Sequence, residues 1–196
     1  GCRSEEARRY DVAGTRPLAW RTPRFFLVSL LMISPLDIRP TDLASPQQVT
    51  IFIDLLEHYA RDPMGGGEGL SDYARAHLVE QLKTLPTFHG ALAFMGEKPV
   101  GLINCFTGFS TFAARPLLNI HDVVVHADVR GQGIAQALLQ WAEMQARQLG
   151  CCKLTLEILS NNIPAMRSYQ RAGFEPYVLD PAAGHALLMQ KYLQEI

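Results

Sequence analysis

The segment Arg130–Ala135 carries the clearest chemical signal in this sequence. It reads Arg-Gly-Gln-Gly-Ile-Ala, and no Ser, Thr or Asn stands there to cap the helix that follows. An uncapped helix start leaves backbone N–H groups unpaired, and glycine lets a ligand come close to them. Because the helix dipole favours negative charge at this end, the segment predicts a phosphate-binding loop.

Two titratable residues, His121 and Asp122, lie in the apolar strand just ahead of this loop. Histidine suits base chemistry near neutral pH, although a lone histidine in a strand is also compatible with a core residue. Side chains alternate along a strand, so Asn119 and His121 share one face and Asp122 lies on the other, unless a bulge interrupts the alternation.

The elements that must position these residues follow from hydrophobic periodicity and turn signals, in the order β-α-α-β-β-β-α-β-α-β-β. The pattern predicts an α+β fold with a mixed sheet. Strands are predicted over residues 36–39, 88–95, 100–109, 117–125, 152–159, 174–179 and 186–192, and helices over 45–59, 71–85, 134–149 and 162–173. Residues 62–67 form a glycine-rich loop that lacks the Gly-Lys-Ser/Thr of a P-loop, so we expect a mobile loop near a substrate site.

A second motif lies one helix and one strand beyond the first: Asn162-x-x-Ala165-x-x-x-Tyr169-x-x-x-Gly173-Phe174. Together, the two motifs resemble the GCN5-related N-acetyltransferase (GNAT) family, and the order of elements from Leu36 to Tyr192 is similar too. The resemblance implies a central sheet of six to seven strands flanked by helices. A dinucleotide-binding loop fits less well, because Gln136 stands where its third glycine belongs.

The resemblance implies acetyl-CoA as the acyl donor. In the family, the loop N–H groups hold the pyrophosphate, and the pantetheine lies between two strands that splay apart. The implied cofactor-binding residues in this sequence are Val123, Val124, Val125, Arg130, Gly131, Gln132, Gly133, Ile134, Ala135, Asn161, Asn162, Ala165 and Tyr169.

The resemblance also implies catalytic roles. Tyr169 occupies the general-acid position, although a half-buried core tyrosine would fit the same pattern. A histidine occurs at the offset of His121 in arylalkylamine acetyltransferases, and a Glu-Asp pair covers His121 and Asp122 in diamine acetyltransferases. The base is therefore His121, Asp122 or an ordered water.

The implied function is transfer of an acetyl group to a primary amine of a small molecule, such as a polyamine, by direct attack in a ternary complex. The run Gly108–Phe112 resembles the diamine branch and favours this acceptor. The alternatives are a lysine or N-terminal protein acetyltransferase, and a non-catalytic acyl-CoA-binding module.

Composition limits the possible binding partners and the cellular location of the protein. A net charge of −1 gives no basic field for nucleic acid. The four cysteines lack CxxC spacing and the histidines are scattered, so we expect reduced thiols in a cytoplasmic protein and no metal. A homodimer is compatible with this. The apolar run Phe25–Ile33 is too short to span a membrane, so we expect no membrane association. We interpret residues 1–31 as an extension, with the domain over residues 32–196; a signal peptide is the alternative for the extension.

Overall fold

The computed structural model describes residues 35–180, 182, 184 and 186–193. The predicted extension, residues 1–31, and the predicted domain start at Met32 lie outside the described residues. That division therefore stays a prediction.

A five-stranded mixed sheet forms the centre of the described chain. Its strands are β1 (Leu36–Pro40), β2 (Phe88–Met95), β3 (Lys98–Ser110), β4 (Arg115–Val125) and β5 (Leu154–Leu156), arranged in chain order across the sheet. The first four are antiparallel to their neighbours, whereas β4 and β5 run parallel. The parallel pair needs a crossover, and the helix between the two strands provides it.

Four helices begin and end close to the predicted residues: α1 (Pro46–Ala60), α2 (Asp72–Lys83), α3 (Ile134–Gln148) and α4 (Ile163–Arg171). The hydroxyl groups of Ser45 and Ser71 cap α1 and α2 by accepting from backbone N–H groups. The Asn162 side chain caps α4. The start of α3 has no side-chain cap, as predicted from the sequence.

The helices cover the two faces of the sheet with separate cores. On the α3 face, Ile134, Leu138 and Ala142 pack against β3 and β4 residues such as Ile103 and Ile120. On the α1–α2 face, the buried residues are Phe52, Leu55, Leu56, Leu82, Leu92, Phe94, Leu102 and Val124. Both faces of the sheet are therefore covered by helices.

The expected six to seven strands are wrong for the described residues, which contain five. The strand predicted over 152–159 is reduced to Leu154–Leu156, and residues 174–179 and 186–192 form no ladder. Apolar residues predicted these strands, but a strand also requires a neighbouring backbone, and the described residues after Phe174 do not pair with β5. Apolar side chains in these segments are exposed, and those of Leu179 and Leu187 are about four-fifths exposed.

None of the helices in the described part of the chain has the length and apolar character needed to cross a membrane.

Candidate active site

The start of α3 presents open backbone N–H groups. Gly133 takes the N-cap position with φ = 84°, and Gly131 has φ = 80°. A β-carbon built on either glycine would meet no atom within 4 Å, so the space beside each of these glycines is open. Glycine is needed here for its backbone conformation, and the first-turn N–H groups have no partner within the helix. This arrangement fits a phosphate group.

Arg130 at the edge of this loop is linked to the loop after α1. Its guanidinium Nη2 lies 2.9 Å from Asp62 Oδ2, and its Nε donates to the Val125 carbonyl oxygen at 3.3 Å. The Met64 backbone N–H and the Arg130 guanidinium both lower the pKa of Asp62. An acidic residue of the α1–α2 loop therefore orients the positive charge that would face a phosphate.

A pair of histidines makes a second link, between α1 and the residues just before the phosphate-binding loop. The rings of His58 and His126 stack with centroids 4.4 Å apart and planes 10° from parallel. His58 Nε2 accepts the Ala127 backbone N–H at 3.2 Å, so this nitrogen carries no proton. Burial, and then the nearby His126 and Arg130, lower the pKa of His58. The neutral ring therefore fits this position.

The two parallel strands separate next to this loop. Pairing between β4 and β5 ends at Ile120 and Leu156, whereas β4 continues to Val125 with β3 as its partner. The backbone of Val123–Val125 therefore has no strand partner on the β5 side within the described residues. Such a gap offers main-chain hydrogen bonds to an extended ligand.

A bulge in β4 decides which side chains lie at this gap. Asn104 pairs with Asp122 and Cys105 pairs with Ile120, so His121 is the extra residue. A bulge shifts the alternation by one, which turns His121 and Asp122 to the same face of the sheet. The regular alternation, with these two residues on opposite faces, does not hold here.

Both side chains lie on the α1–α2 face. The His121 ring is exposed and meets Phe106 edge-on, with centroids 5.7 Å apart. Asp122 Oδ2 accepts from the amide nitrogen of Asn104 at 2.9 Å. Asn104 is 3% exposed, so a buried amide fixes the direction of the Asp122 carboxylate.

Tyr169 approaches the same region from α4. Its ring packs edge-on against Phe174, with centroids 6.1 Å apart. Burial, and after it the nearby Tyr59 and Asp122, raise the pKa of Tyr169 to about 12. The phenol therefore stays protonated at neutral pH and is available as a proton donor.

The remaining predicted residues lie around the starts of α3 and α4. The Asn162 side chain accepts the Ala165 N–H at 3.3 Å, and Asn161 is exposed in the turn before it. Ile134 is buried in the α3-face core, whereas Gln132 is exposed and Ala135 is partly buried. Ile134 therefore contributes packing, and any contact it makes with a ligand comes from its backbone.

Three residues near the gap were not recognised from the sequence as site residues. Tyr59, which raises the pKa of Tyr169, fitted the apolar stripe of α1. Asn104 is a polar residue within an apolar strand, and that contrast was the available signal. Glu157 follows β5, and its carboxylate accepts from Asn119 Nδ2 at 3.3 Å. Its position became recognisable only with the register of β4 and β5.

Within the described ranges, no three His, Cys, Asp or Glu side chains are grouped so that they could hold a metal ion. Cys105, Cys151 and Cys152 carry free thiols. Burial raises the pKa of Cys105 to about 12, so this thiol stays protonated in the core.

The family model described as "Acetyltransferase (GNAT) family" matches residues 52–174, which include the bulged strand, the phosphate loop and α4. The chain belongs to this family.

Individual GNAT relatives match part of the chain. The aminoalkylphosphonate N-acetyltransferase of Salmonella typhimurium is 38% identical over 93 residues, covering 46% of this chain and 58% of the relative. The streptothricin acetyltransferase of Escherichia coli is 30% identical over 82 residues, covering 42% and 44%. The matched region thus spans about half the length of these relatives.

Solved structures share the fold at low identity. An aminoglycoside N-acetyltransferase in complex with CoA superposes with a TM-score of 0.62 at 16% identity, covering 81% of this chain and 95% of the other. This similarity supports the GNAT fold alone.

The histidine stack predicts a pH-dependent stability. Because the pKa of His58 is lowered on folding, protonation favours the unfolded chain. This ring does not change stability above its unfolded pKa of about 6.5, and stability falls as the pH drops from there towards the lower folded pKa. Urea midpoints should therefore fall less between about pH 7 and about pH 5 in His58→Gln than in the wild type. The exposed His77, changed to Gln, is the control; equal pH dependence in all three proteins would refute this role of His58.

Proposed function

We propose that this chain is an N-acetyltransferase that transfers an acetyl group from acetyl-CoA to a primary amine of a small molecule. The amine attacks directly, within a ternary complex. The observation that carries the proposal is the gap between β4 and β5, which has an open helix start at one end and the bulged His121 and Asp122 on one face.

The residues around the gap fit the donor. The N–H groups of residues 131–135 would hold the pyrophosphate, with the Arg130 charge beside them. The unpaired backbone of Val123–Val125 would bind the extended pantetheine arm, and we assign Asn161, Asn162 and Ala165, at the start of α4, to the donor as well. Acetyl-CoA supplies an acetyl thioester there.

Two groups of this chain serve the proton transfers. The amine must lose a proton before it attacks, since alkylammonium groups have a pKa of about 10.4. We assign His121 as the base, directly or through a water, because its ring is exposed and the bulge turns it to the same face as Asp122. As the C–N bond forms and the C–S bond breaks, the thiolate takes the proton of the Tyr169 hydroxyl.

Asp122 has a different role in this proposal. Its carboxylate is held by Asn104 and cannot turn freely, so it suits attraction and orientation of a cationic acceptor. Glu157, whose carboxylate accepts a hydrogen bond from Asn119, adds a second negative charge near the end of β5. Two carboxylates near the gap favour a small acceptor with more than one amine, such as a polyamine.

The names of the relatives support a small-molecule acceptor, because they refer to an aminoalkylphosphonate and to streptothricin. A homodimer and a cytoplasmic location belong to the same proposal, and both stay predictions.

The direct test is release of CoA by the purified chain with a panel of diamines, polyamines and arylalkylamines, beside lysine peptides and peptides with free N-termini. We expect turnover with the small amines. Turnover with peptides alone would support a protein acetyltransferase, and CoA binding without turnover would support a binding module.

Tyr169→Phe removes only the hydroxyl. With the best amine, kcat should fall about 10²-fold or more, the scale of general acid catalysis. Because the ring and its contact with Phe174 remain, the melting temperature should change little. A Tyr169→Phe protein with the wild-type kcat would show that this tyrosine is only structural.

Substitutions of His121 and of Asp122 should have different effects on the kinetics. His121→Ala should lower kcat and flatten the acidic limb of the pH–rate profile, because a base has been lost. Asp122→Asn keeps the shape of the side chain and should mainly raise KM for cationic amines. The opposite pattern would exchange the two roles, and unchanged kinetics in both variants would place the base elsewhere.

A further inference from the structure

Gln136 connects the phosphate loop to the helix that carries Tyr169. Its side-chain Nε2 donates to the Ser168 carbonyl oxygen at 2.8 Å and lies 2.9 Å from the Ser168 hydroxyl oxygen. Both contacts are partly buried. Ser168 precedes Tyr169 in the chain, so this amide of α3 holds the backbone next to the phenol.

Ser168 is an unusual anchor point. It is the only buried residue of α4, a helix of nine residues. A buried hydroxyl needs a partner, and Gln136 provides one. The Ser168 carbonyl also accepts the Ala172 N–H at 3.2 Å, so Gln136 adds a second donor to a helical hydrogen bond. The register of α4 on α3 is thus fixed by a polar contact.

The position of Gln136 in α3 also affects the N-terminus of that helix. Gly133 is the N-cap, so Gln136 is the third residue of the helix. A Gln or Glu at this position commonly reaches back to the N-cap backbone N–H in a capping box. Here the amide is engaged by Ser168 instead, and the helix start stays open to an anion.

We infer that Gln136 is a positioning residue. It fixes the direction of Tyr169 through Ser168 and, because it is engaged there, leaves the N–H groups of the phosphate loop free for acetyl-CoA. The inference rests on the proposed function for the role of Tyr169. The hydrogen bonds that support it do not depend on that role.

Two variants separate the two consequences. Gln136→Met keeps the length of the side chain but cannot donate, so Tyr169 loses its fixed direction. We expect kcat to fall about tenfold or more, with little change in CoA affinity. Gln136→Glu cannot donate to Ser168 either, but its carboxylate can cap the helix start. We expect that variant to bind CoA more weakly as well, because the cap and the negative charge compete with the pyrophosphate.

The test measures kcat, amine KM, CoA affinity by calorimetry and melting temperature for both variants. Gln140→Met is the matched control, because Gln140 is an exposed glutamine one turn further along α3. It should behave as the wild type does.

A double mutant distinguishes positioning from general stabilisation. If Gln136 acts through the Tyr169 hydroxyl, Gln136→Met should not lower kcat further in a Tyr169→Phe background. Rescue supports the same point: Gln136→Asn, with a shorter amide, should recover part of the loss.

Two results would overturn the inference: a wild-type kcat in Gln136→Met, or an equal loss of kcat with and without the Tyr169 hydroxyl. Failure of the proposed function looks different. In that case the wild type shows no turnover, or Tyr169→Phe has no effect, whatever Gln136→Met does.

Discussion

The separation of β4 from β5 is the constraint on which the rest of this site depends. Three residue pairs hold the two parallel strands together, and β4 then continues for five residues with β3 as its only partner among the described strands. Buried backbone groups need hydrogen-bond partners, so a strand with one free side next to a sheet centre is a site for an extended ligand. The bulge at His121 occurs where the strands part. It brings His121 and Asp122 to the side that α1 and α2 cover, and Tyr169 approaches the gap from α4.

The open start of α3 can bind a ligand in one geometry only if the surrounding residues hold it in place. Three contacts from α1 and its loop support it: the Asp62–Arg130 ion pair, the stack of His58 on His126, and the hydrogen bond from Ala127 to His58. Gln136 supports the other side through Ser168. The start of α3 and the loop before it are therefore held by α1 and its loop on one side and by α4 on the other. This connection explains how a loop with two glycines can keep one conformation in front of a ligand.

Much of this arrangement could be predicted from the sequence, because it depends on local signals. Capping residues and glycines set the helix limits, and the absence of a cap before Ile134 predicted the phosphate loop. The face of Asp122 could not be predicted, because a bulge depends on how two strands pair and not on the residues of either alone. The roles of Asn104 and Glu157 depend on cross-strand register in the same way. The predicted strands over residues 174–179 and 186–192 were wrong for a related reason. Apolar residues indicate a tendency to form a strand, whereas pairing also needs a free edge of a neighbouring strand.

The most direct test of the central claim, that the glycine-containing start of α3 binds the phosphates of acetyl-CoA, compares two glycines of one helix. Gly133 and Gly150 flank α3, both have a positive φ, and a β-carbon on either meets no atom within 4 Å. Leucine at either position should therefore impose a similar backbone strain. Calorimetry with CoA should show at least about a tenfold loss of affinity for Gly133→Leu and nearly wild-type affinity for Gly150→Leu. Equal affinities in the two variants would contradict the assignment of the phosphate site.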